Sequence, residues 1–492
     1  MASDSKPCAA CAEDMELELA IKELEDQIEK MHTKRRALRT VMNENHDQLI
    51  GKFPPEIASE IFIHYIPRKE SNTSHPLYLG AVCQKWRQFA WRTPQLWTAL
   101  FIRVYSPQLL AEYLERSANL PLSIKLFLSR EMIEAKGGMY ERKIYEDEIY
   151  LEVIHILNKH SPRWRVLRNA LPAHQLHRLC GSPGGNMLDE LILRPMEDST
   201  ERREFYEPRY HVATFSMKCK PRPTGFVLSR YRLANVDIAL NCLTRTLLQY
   251  IAVDECFELM RHAHLLETLS LVRIIRSSGT FPPPAARIVL PRLRELAIHH
   301  IPDESVVAEI LDSICAPSLK RWDHLLSRIP SPMNNTISFI EHSSFSLKEF
   351  TVGECPHVYD KVHEILCRLP SLDSLKLHFR LHNRSPTNEL LNRLCASDES
   401  PPFLPRLQTL EFSPRFMFPW DSLPRLFSSS TRRSLRVKVD QHSNLASIPE
   451  GAVEKLSELI DAGFNLSVLR DGEVDVLEEH REQRRLSQVT HQ

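Results

Sequence analysis

The stretch that decides the fold lies between residues 266 and 298: Leu266-Glu-Thr-Leu269-Ser-Leu271 and, after a polar and proline-rich interval, Leu293-Arg-Glu-Leu296-Ala-Ile298. In each copy the apolar residues at the fourth and sixth places flank a polar or small one, which is the two-residue period of a half-buried strand. The order returns as Leu188-x-x-Leu191-x-Leu193, Leu347-x-x-Phe350-x-Val352, Leu372-x-x-Leu375-x-Leu377 and Leu407-x-x-Leu410-x-Phe412, with a degenerate copy at Leu319-x-x-Trp322. First leucines are separated by 27 residues from 266 to 293, 26 from 293 to 319, 28 from 319 to 347 and 25 from 347 to 372.

A period of that length belongs to leucine-rich repeats, in which one unit cannot bury its leucines alone and stacked neighbours share a core. The second half of a unit should be helical. Asp303 to Cys315 carries Val306, Val307, Ile310, Leu311 and Ile314 on one face, and Lys361 to Leu369 repeats the arrangement with Val362, Ile365, Leu366 and Leu369. The expected fold class is therefore α/β, with an irregular leucine-rich-repeat solenoid over 120–465 built as a parallel sheet with outer helices. Leu122-x-Ile124-x-Leu126-x-Leu128 and Trp164-x-x-Leu167 fit more loosely, and the charged, proline-rich run from Glu197 to Pro223 reads as an irregular insertion. A helix near Val453 to Ile460 is expected to cap the repeats, and 466–492 is expected to be a mobile tail. Arg294, Glu295, Asp373, Lys376, Gln408 and Glu411 sit between the leucines and point outward, either as a recognition surface or as a merely solvated sheet face.

At the other end, 1–12 is expected to be a flexible tail and 13–48 a helix. Leu17, Ile21, Leu24, Ile28, Met31, Leu38 and Met42 step by four and three, with Arg35 at the remaining seam position. Such a stripe either folds back on its own protein or pairs with another helix, so a homodimer through 13–48 is one open outcome. Cys8-x-x-Cys11 has no second pair at zinc spacing, which leaves a metal site there weakly supported.

The segment 49–100 opens on Phe53-Pro54-Pro55-Glu56. Proline suits a first helical turn and Glu56 complements the dipole. Ile57, Ile61, Phe62 and Tyr65 follow on one expected face. Pro67 ends that helix, a polar stretch runs from Arg68 to His75, and a second helical pattern runs through Leu79, Val82, Cys83, Trp86, Phe89 and Ala90 before Thr93-Pro94 breaks it. Three tryptophans, Trp86, Trp91 and Trp97, fall within a dozen residues.

The order Phe-Pro-Pro-Glu-Ile, Ile-Phe, Val-Cys-Gln-Lys-Trp-Arg, Thr-Pro-Gln-Leu-Trp resembles the F-box, a small helical module that binds Skp-type adaptors of cullin–RING ubiquitin ligases. With the heptad helix before it, the arrangement is similar to the F-box proteins of mushroom-forming fungi. Two departures are Phe53, where the family usually has leucine, and the long Arg68 to His75 loop. The resemblance implies a substrate-receptor subunit that docks a Skp-type adaptor, and through it a cullin, while the repeats hold an unidentified protein substrate. It also implies that Pro54, Pro55, Ile57, Ile61, Trp86 and Trp97 match adaptor-binding positions. For all six the alternative is that they are simply core, and for Trp86 that packing role is the favoured one, whereas Pro55 and Ile57 are expected at the interface.

Composition narrows the field. Lys plus Arg and Asp plus Glu balance at 63 each, so no net field draws the chain to nucleic acid or an anionic membrane, and neither is an expected partner. No apolar run is long enough to span a bilayer and no signal-like core opens the chain, so the cytoplasm or nucleus is the expected location. Eleven scattered cysteines argue against a disulfide framework, and glycine is scarce at 13 residues, which disfavours phosphate-cradling loops. No nucleophile elbow, phosphate loop or His-Glu-x-x-His occurs, and His174, His177 and Cys180 lack a fourth ligand, so no enzyme activity and no cofactor are expected.

Overall fold

The computed structural model describes residues 8–46, 49–65, 76–102, 106–127, 148–171, 173–195, 213–325, 332–353, 362–379, 385–395, 403–414, 420, 423–427, 435–441, 448–470 and 474–489. The chain divides into two compact units, one of 1–101 with 105–123 and the other of 102–104 with 124–492. The class is mixed α/β, with a long N-terminal helix and a large parallel sheet.

The first unit contains helices α1 (Ala9–His46), α2 (Pro55–Tyr65), α3 (Pro76–Val82), α4 (Gln84–Trp91) and α5 (Pro107–Arg116). It reaches beyond the expected 49–100 because α5 supplies part of the aromatic core: Tyr113 meets the Trp97 ring edge-on at 4.8 Å. Helix α1 starts at Ala9 and so takes in the last four residues of the segment expected as a flexible tail, because nothing among Ala9, Ala10, Cys11 and Ala12 opposes helix. Within the described residues of this unit its apolar stripe is exposed from end to end. The stretch Arg68 to His75 lies outside the described residues.

In the second unit a sheet is built from β1 (Trp164–Ala170), β2 (Glu190–Leu193), β3 (Gly225–Ser229), β4 (Arg245–Gln249), β5 (Thr268–Val272), β6 (Glu295–His299), β7 (Arg321–Leu325), β8 (Glu349–Gly353), β9 (Ser374–Phe379), β10 (Thr409–Pro414), β11 (Arg436–Gln441) and β12 (Leu466–Arg470). Each strand pairs in parallel with the next in chain order. Parallel neighbours need a crossover, and from β4 onward most crossovers carry a helix: α6 (Val253–His262), α7 (Glu304–Ser313), α8 (Met333–Ser343), α9 (Val362–Cys367), α10 (Ser385–Cys395) and α11 (Glu450–Asp461). Asp303 opens α7 by accepting the Ser305 N–H at 3.0 Å.

Register turns the leucine spacing into a core. Leu167, Leu191, Phe226, Thr246, Leu269, Leu296, Trp322, Phe350, Leu375, Leu410, Val437 and Leu466 stand opposite one another from strand to strand, and all are buried. Two residues on, Asn169, Leu193, Leu228, Leu248, Leu271, Ile298, His324, Val352, Leu377, Phe412, Val439 and Val468 make a second buried column. Residues between and beside these, such as Glu295, Ala297 and His299, are half-exposed. After four successive strands the chain turns through a left-handed residue, Arg230, Tyr250, Arg273 and His300, at φ of 58°, 54°, 51° and 55°. The N–H of each donates to the neighbouring strand, to Gln249, Val272, His299 and Leu325 carbonyls at 3.1, 3.1, 2.9 and 2.7 Å. The turn is thereby repaid for the cost of a left-handed non-glycine residue.

The expected tail at 466–492 is corrected by the structure. Leu466–Arg470 is the last parallel strand, β13 (Val474–Asp475) returns antiparallel to it, and helix α12 (Val476–Val489) follows with Leu477 fully buried. Leu466, Val468 and Leu477 supply enough apolar surface to fix a segment whose charge reads as a free end. Of the expected insertion from Glu197 to Pro223, residues 197–212 lie outside the described residues, and Phe215–Ser216 forms a short parallel pair with Val236–Asp237.

Two tests follow from the columns. Leu296→Ala should cost about 2–5 kcal/mol in chemical denaturation, the loss expected for a buried leucine in a packed interior. At His324, burial keeps the imidazole neutral and pushes its pKa down to about 3, with His299 adding a smaller repulsion. An unfolded histidine titrates near ~6.5. As pH falls from about 6.5 towards 3, the unfolded chain gains a proton that the folded chain refuses, so stability drops. His324→Leu should flatten that decline by up to about 1.4 kcal/mol per pH unit, read from urea midpoints at several pH values.

Candidate functional site

In the first unit the chemistry starts with helix α2, which is apolar on two sides. Ala58 and Phe62 turn inward and are fully buried, and the Phe62 ring lies 4.8 Å from Trp86 and 5.5 Å, edge-on, from Phe89. One residue earlier at each turn, Ile57 and Ile61 remain 46% and 39% exposed. Phe53 before the helix and Tyr65 at its end continue the row at 48% and 65%. Four large apolar side chains spaced by four residues thus face solvent, beside the exposed Pro54 and Pro55. This row and the two prolines are the candidate surface of the first unit.

The rest of the unit holds that row in place. The Cys83 sulfur accepts the Trp86 N–H at 3.5 Å and so caps α4. The Arg87 Nε donates to the Gly80 carbonyl at 2.8 Å, joining α4 to α3. Gly80 is required by close approach, since a Cβ there would come within 2.2 Å of the Trp91 ring. The Trp97 Nε1 donates to the Ala90 carbonyl at 2.9 Å, its ring meets Trp91 at 5.3 Å, and the Arg116 guanidinium lies over both rings at 4.6 and 4.7 Å.

The six residues expected to bind an adaptor therefore divide. Pro54, Pro55, Ile57 and Ile61 are on the surface, Trp86 is half-buried against Phe62, and Trp97 is wholly interior. Trp97 is a correction: an indole with its N–H satisfied and both edges packed is a core residue and offers nothing to a partner. Phe62 is likewise not on the face with Ile57 and Ile61, where the helical spacing placed it. Phe53 and Tyr65 complete the row, and the i+4 step through 53, 57, 61 and 65 is the signal that separates them from Phe62. Tyr78 and Val82 of α3 are also exposed.

In the second unit the outward residues of the sheet are tied to one another. Arg321 pairs with Glu295 at 3.5 Å and Glu349 at 2.7 Å, Lys348 with Asp373 at 2.9 Å, and Glu411 with Lys376 at 2.7 Å and Lys438 at 3.9 Å. The Glu349 carboxylate raises the Arg321 pKa. Arg294 and Gln408 are exposed. At the strand ends the Arg230 guanidinium lies 4.7 Å and the Arg273 guanidinium 5.4 Å from the centre of the Tyr250 ring, and the Arg273 Nη1 donates to the Tyr250 hydroxyl at 2.5 Å. His299 and His300 are half-exposed at the same strand ends.

The buried acids serve the backbone. Burial works against ionisation of Asp254, but the Ser278, Thr280 and Phe281 amides donate to it at 2.8, 2.9 and 3.0 Å and lower its pKa overall. Burial raises the pKa of its neighbour Glu255, which accepts the Leu233 N–H at 3.2 Å. These two carboxylates pin loops between repeats. No group of three or more His, Cys, Asp or Glu side chains is placed to hold a metal among the described residues. Cys8 and Cys11 bring two sulfurs to 3.3 Å at the exposed start of α1, and Cys180 is half-buried while His177 is exposed. No described helix is long and apolar enough to cross a membrane.

No family model matches the chain, and no curated protein matches it. Among solved structures it is similar to the chain of the "Crystal structure of TLR13-ssRNA13 complex", with 14% identity, a TM-score of 0.30 and coverage of 61% of this chain and 47% of that one. At that score the likeness assigns no function.

Surface and core roles in the first unit separate by stability. Trp97→Ala should cost about 3–5 kcal/mol, as for a large buried aromatic. Ile57→Asp should leave the thermal melt within the scatter of ordinary surface changes, about ±0.5 kcal/mol. Both are read by circular dichroism on the purified chain.

Proposed function

We propose that the protein is a non-catalytic receptor subunit: an F-box-like first unit docks a Skp-type adaptor of a cullin ubiquitin ligase, and a leucine-rich-repeat body presents a protein target. One observation carries the reading. Helix α2 buries Ala58 and Phe62 yet leaves Ile57, Ile61 and Tyr65 to solvent, with Phe53 exposed just before it, and Phe53, Ile57 and Ile61 belong to the order that resembles the adaptor-docking motif. A row of that kind desolvates on contact with an apolar groove of a partner, which is how a helix face is read. The ubiquitin part rests on the motif resemblance.

The repeat reading draws support from the parallel strands, the crossover helices and the two buried columns. On this reading the half-exposed strand residues and the strand-end group of Arg230, Tyr250, Arg273 and His300 form the target-facing surface. Joining target and ligase on one body raises their effective concentration without new covalent chemistry. A second reading, a scaffold that associates through α1 without any ligase function, is favoured by the exposed stripe of that helix.

Pull-down of a purified Skp-type adaptor by the full chain tests the first reading. Wild type should bind, and Ile57→Asp should abolish binding by leaving an unpaired charge in an apolar interface while the fold is intact. Failure of the correctly folded wild type to bind would remove the receptor reading and leave the scaffold.

A further inference from the structure

We infer that α1 pairs with α1 of a second copy of this chain, and that the two helices run antiparallel about a point between Glu29 and Lys30. The inference is independent of the adaptor-docking reading, because it uses no residue of α2.

The first ground is an unpartnered stripe. Leu17, Ile21, Leu24, Ile28, Met31, Leu38 and Met42 repeat by four and three along one unbroken helix, and every one of them is about half or more exposed, from 49% at Ile28 to 64% at Met31. Thirty-eight residues at ~1.5 Å rise give about 57 Å of helix, ample for a two-stranded seam.

The second ground is charge. Residues 13–29 hold eight carboxylates and one lysine, whereas residues 30–43 hold five Lys or Arg and no carboxylate. A parallel pair sets acidic half on acidic half and basic on basic. It also stacks Arg35 on Arg35 in the seam and sets Glu13 against Glu18 and Lys34 against Arg39 at the flanks, since heptad partners there lie five residues apart. An antiparallel pair sets each acidic half on a basic half.

The third ground is register. Rotation about the point between Glu29 and Lys30 sets Leu17 opposite Met42, Ile21 opposite Leu38, Leu24 opposite Arg35 and Ile28 opposite Met31, so each seam residue meets a seam residue. The flanks then place Glu18 beside Arg39 and Glu25 beside His32 of the second copy. Arg35, the one break in the stripe, faces Leu24 next to Glu25 and keeps its charge at the seam's edge, its stem along the apolar surface.

Light scattering of the full chain over a dilution series should give the mass of a dimer at the concentrated end, and Ile28→Asp with Met31→Asp should give a monomer whose circular dichroism melt is unchanged. Arg39→Glu should weaken the dimer about tenfold by setting Glu18 against a carboxylate at two symmetric contacts, and Glu18→Arg added to it should restore affinity. A wild type that stays monomeric, or a dimer that survives Ile28→Asp with Met31→Asp, overturns the pairing. Tightening by Arg39→Glu, which a parallel pair would show as Lys34 gained a partner, overturns the antiparallel orientation. Adaptor binding is unaffected in every arm if the receptor reading holds, so the two fail separately.

Discussion

Lateral register of a parallel sheet is the constraint on which the second unit depends. Neighbouring strands lie about 4.8 Å apart, so residues in the same place on successive strands touch, and two inward places per strand become two continuous columns. Every repeat must fill both. A residue that fits badly is felt by the strands on either side, which is why the crossovers vary freely in length while Leu269, Leu296, Leu375 and Leu410 recur in one place. The outer face is under a weaker rule, and ion pairs such as Arg321 with Glu349 only align neighbours already held by the core.

The first unit obeys a different economy. It is small, and it concentrates its burial in rings: Phe62 on Trp86 and Phe89, then Trp91, Trp97 and Tyr113 with Arg116 across them. Aromatic side chains bury much area per residue. With so much interior drawn from α4, the turn before Thr98 and α5, helix α2 needs to contribute only Ala58 and Phe62, and its other apolar side chains are released to face outward.

How much of this was legible in the sequence follows from how directly chemistry encodes place. The leucine copies at 188, 266, 293, 347, 372 and 407 could be read because each supplies both column residues at a regular interval, and all of them fall on the strands they foretell. Strands β3 and β4 were not read. Phe226 and Thr246 stand only twenty residues apart in the chain, a threonine occupies the first column, and short 3-10 turns replace the crossover helix. The end of the chain misled because α12 is mostly polar, and Leu477 is the one buried side chain among its described residues. On α2, a helical period alone cannot say which of two apolar rows is inside. That choice was made by Trp86 and Phe89, some twenty-five residues away, taking Phe62 as their neighbour.

The antiparallel return of β13 along β12 has a further meaning. A parallel ladder ending on a bare strand would offer a row of free amides and carbonyls to any extended segment nearby, including the same edge of another molecule. Here Leu469 and Arg470 already pair with Asp475 and Val474, and the chain then leaves as a charged helix. The return shortens the open edge at this end of the ladder to Leu466, Ser467 and Val468 and follows it with a charged helix, two devices that disfavour edge-to-edge stacking.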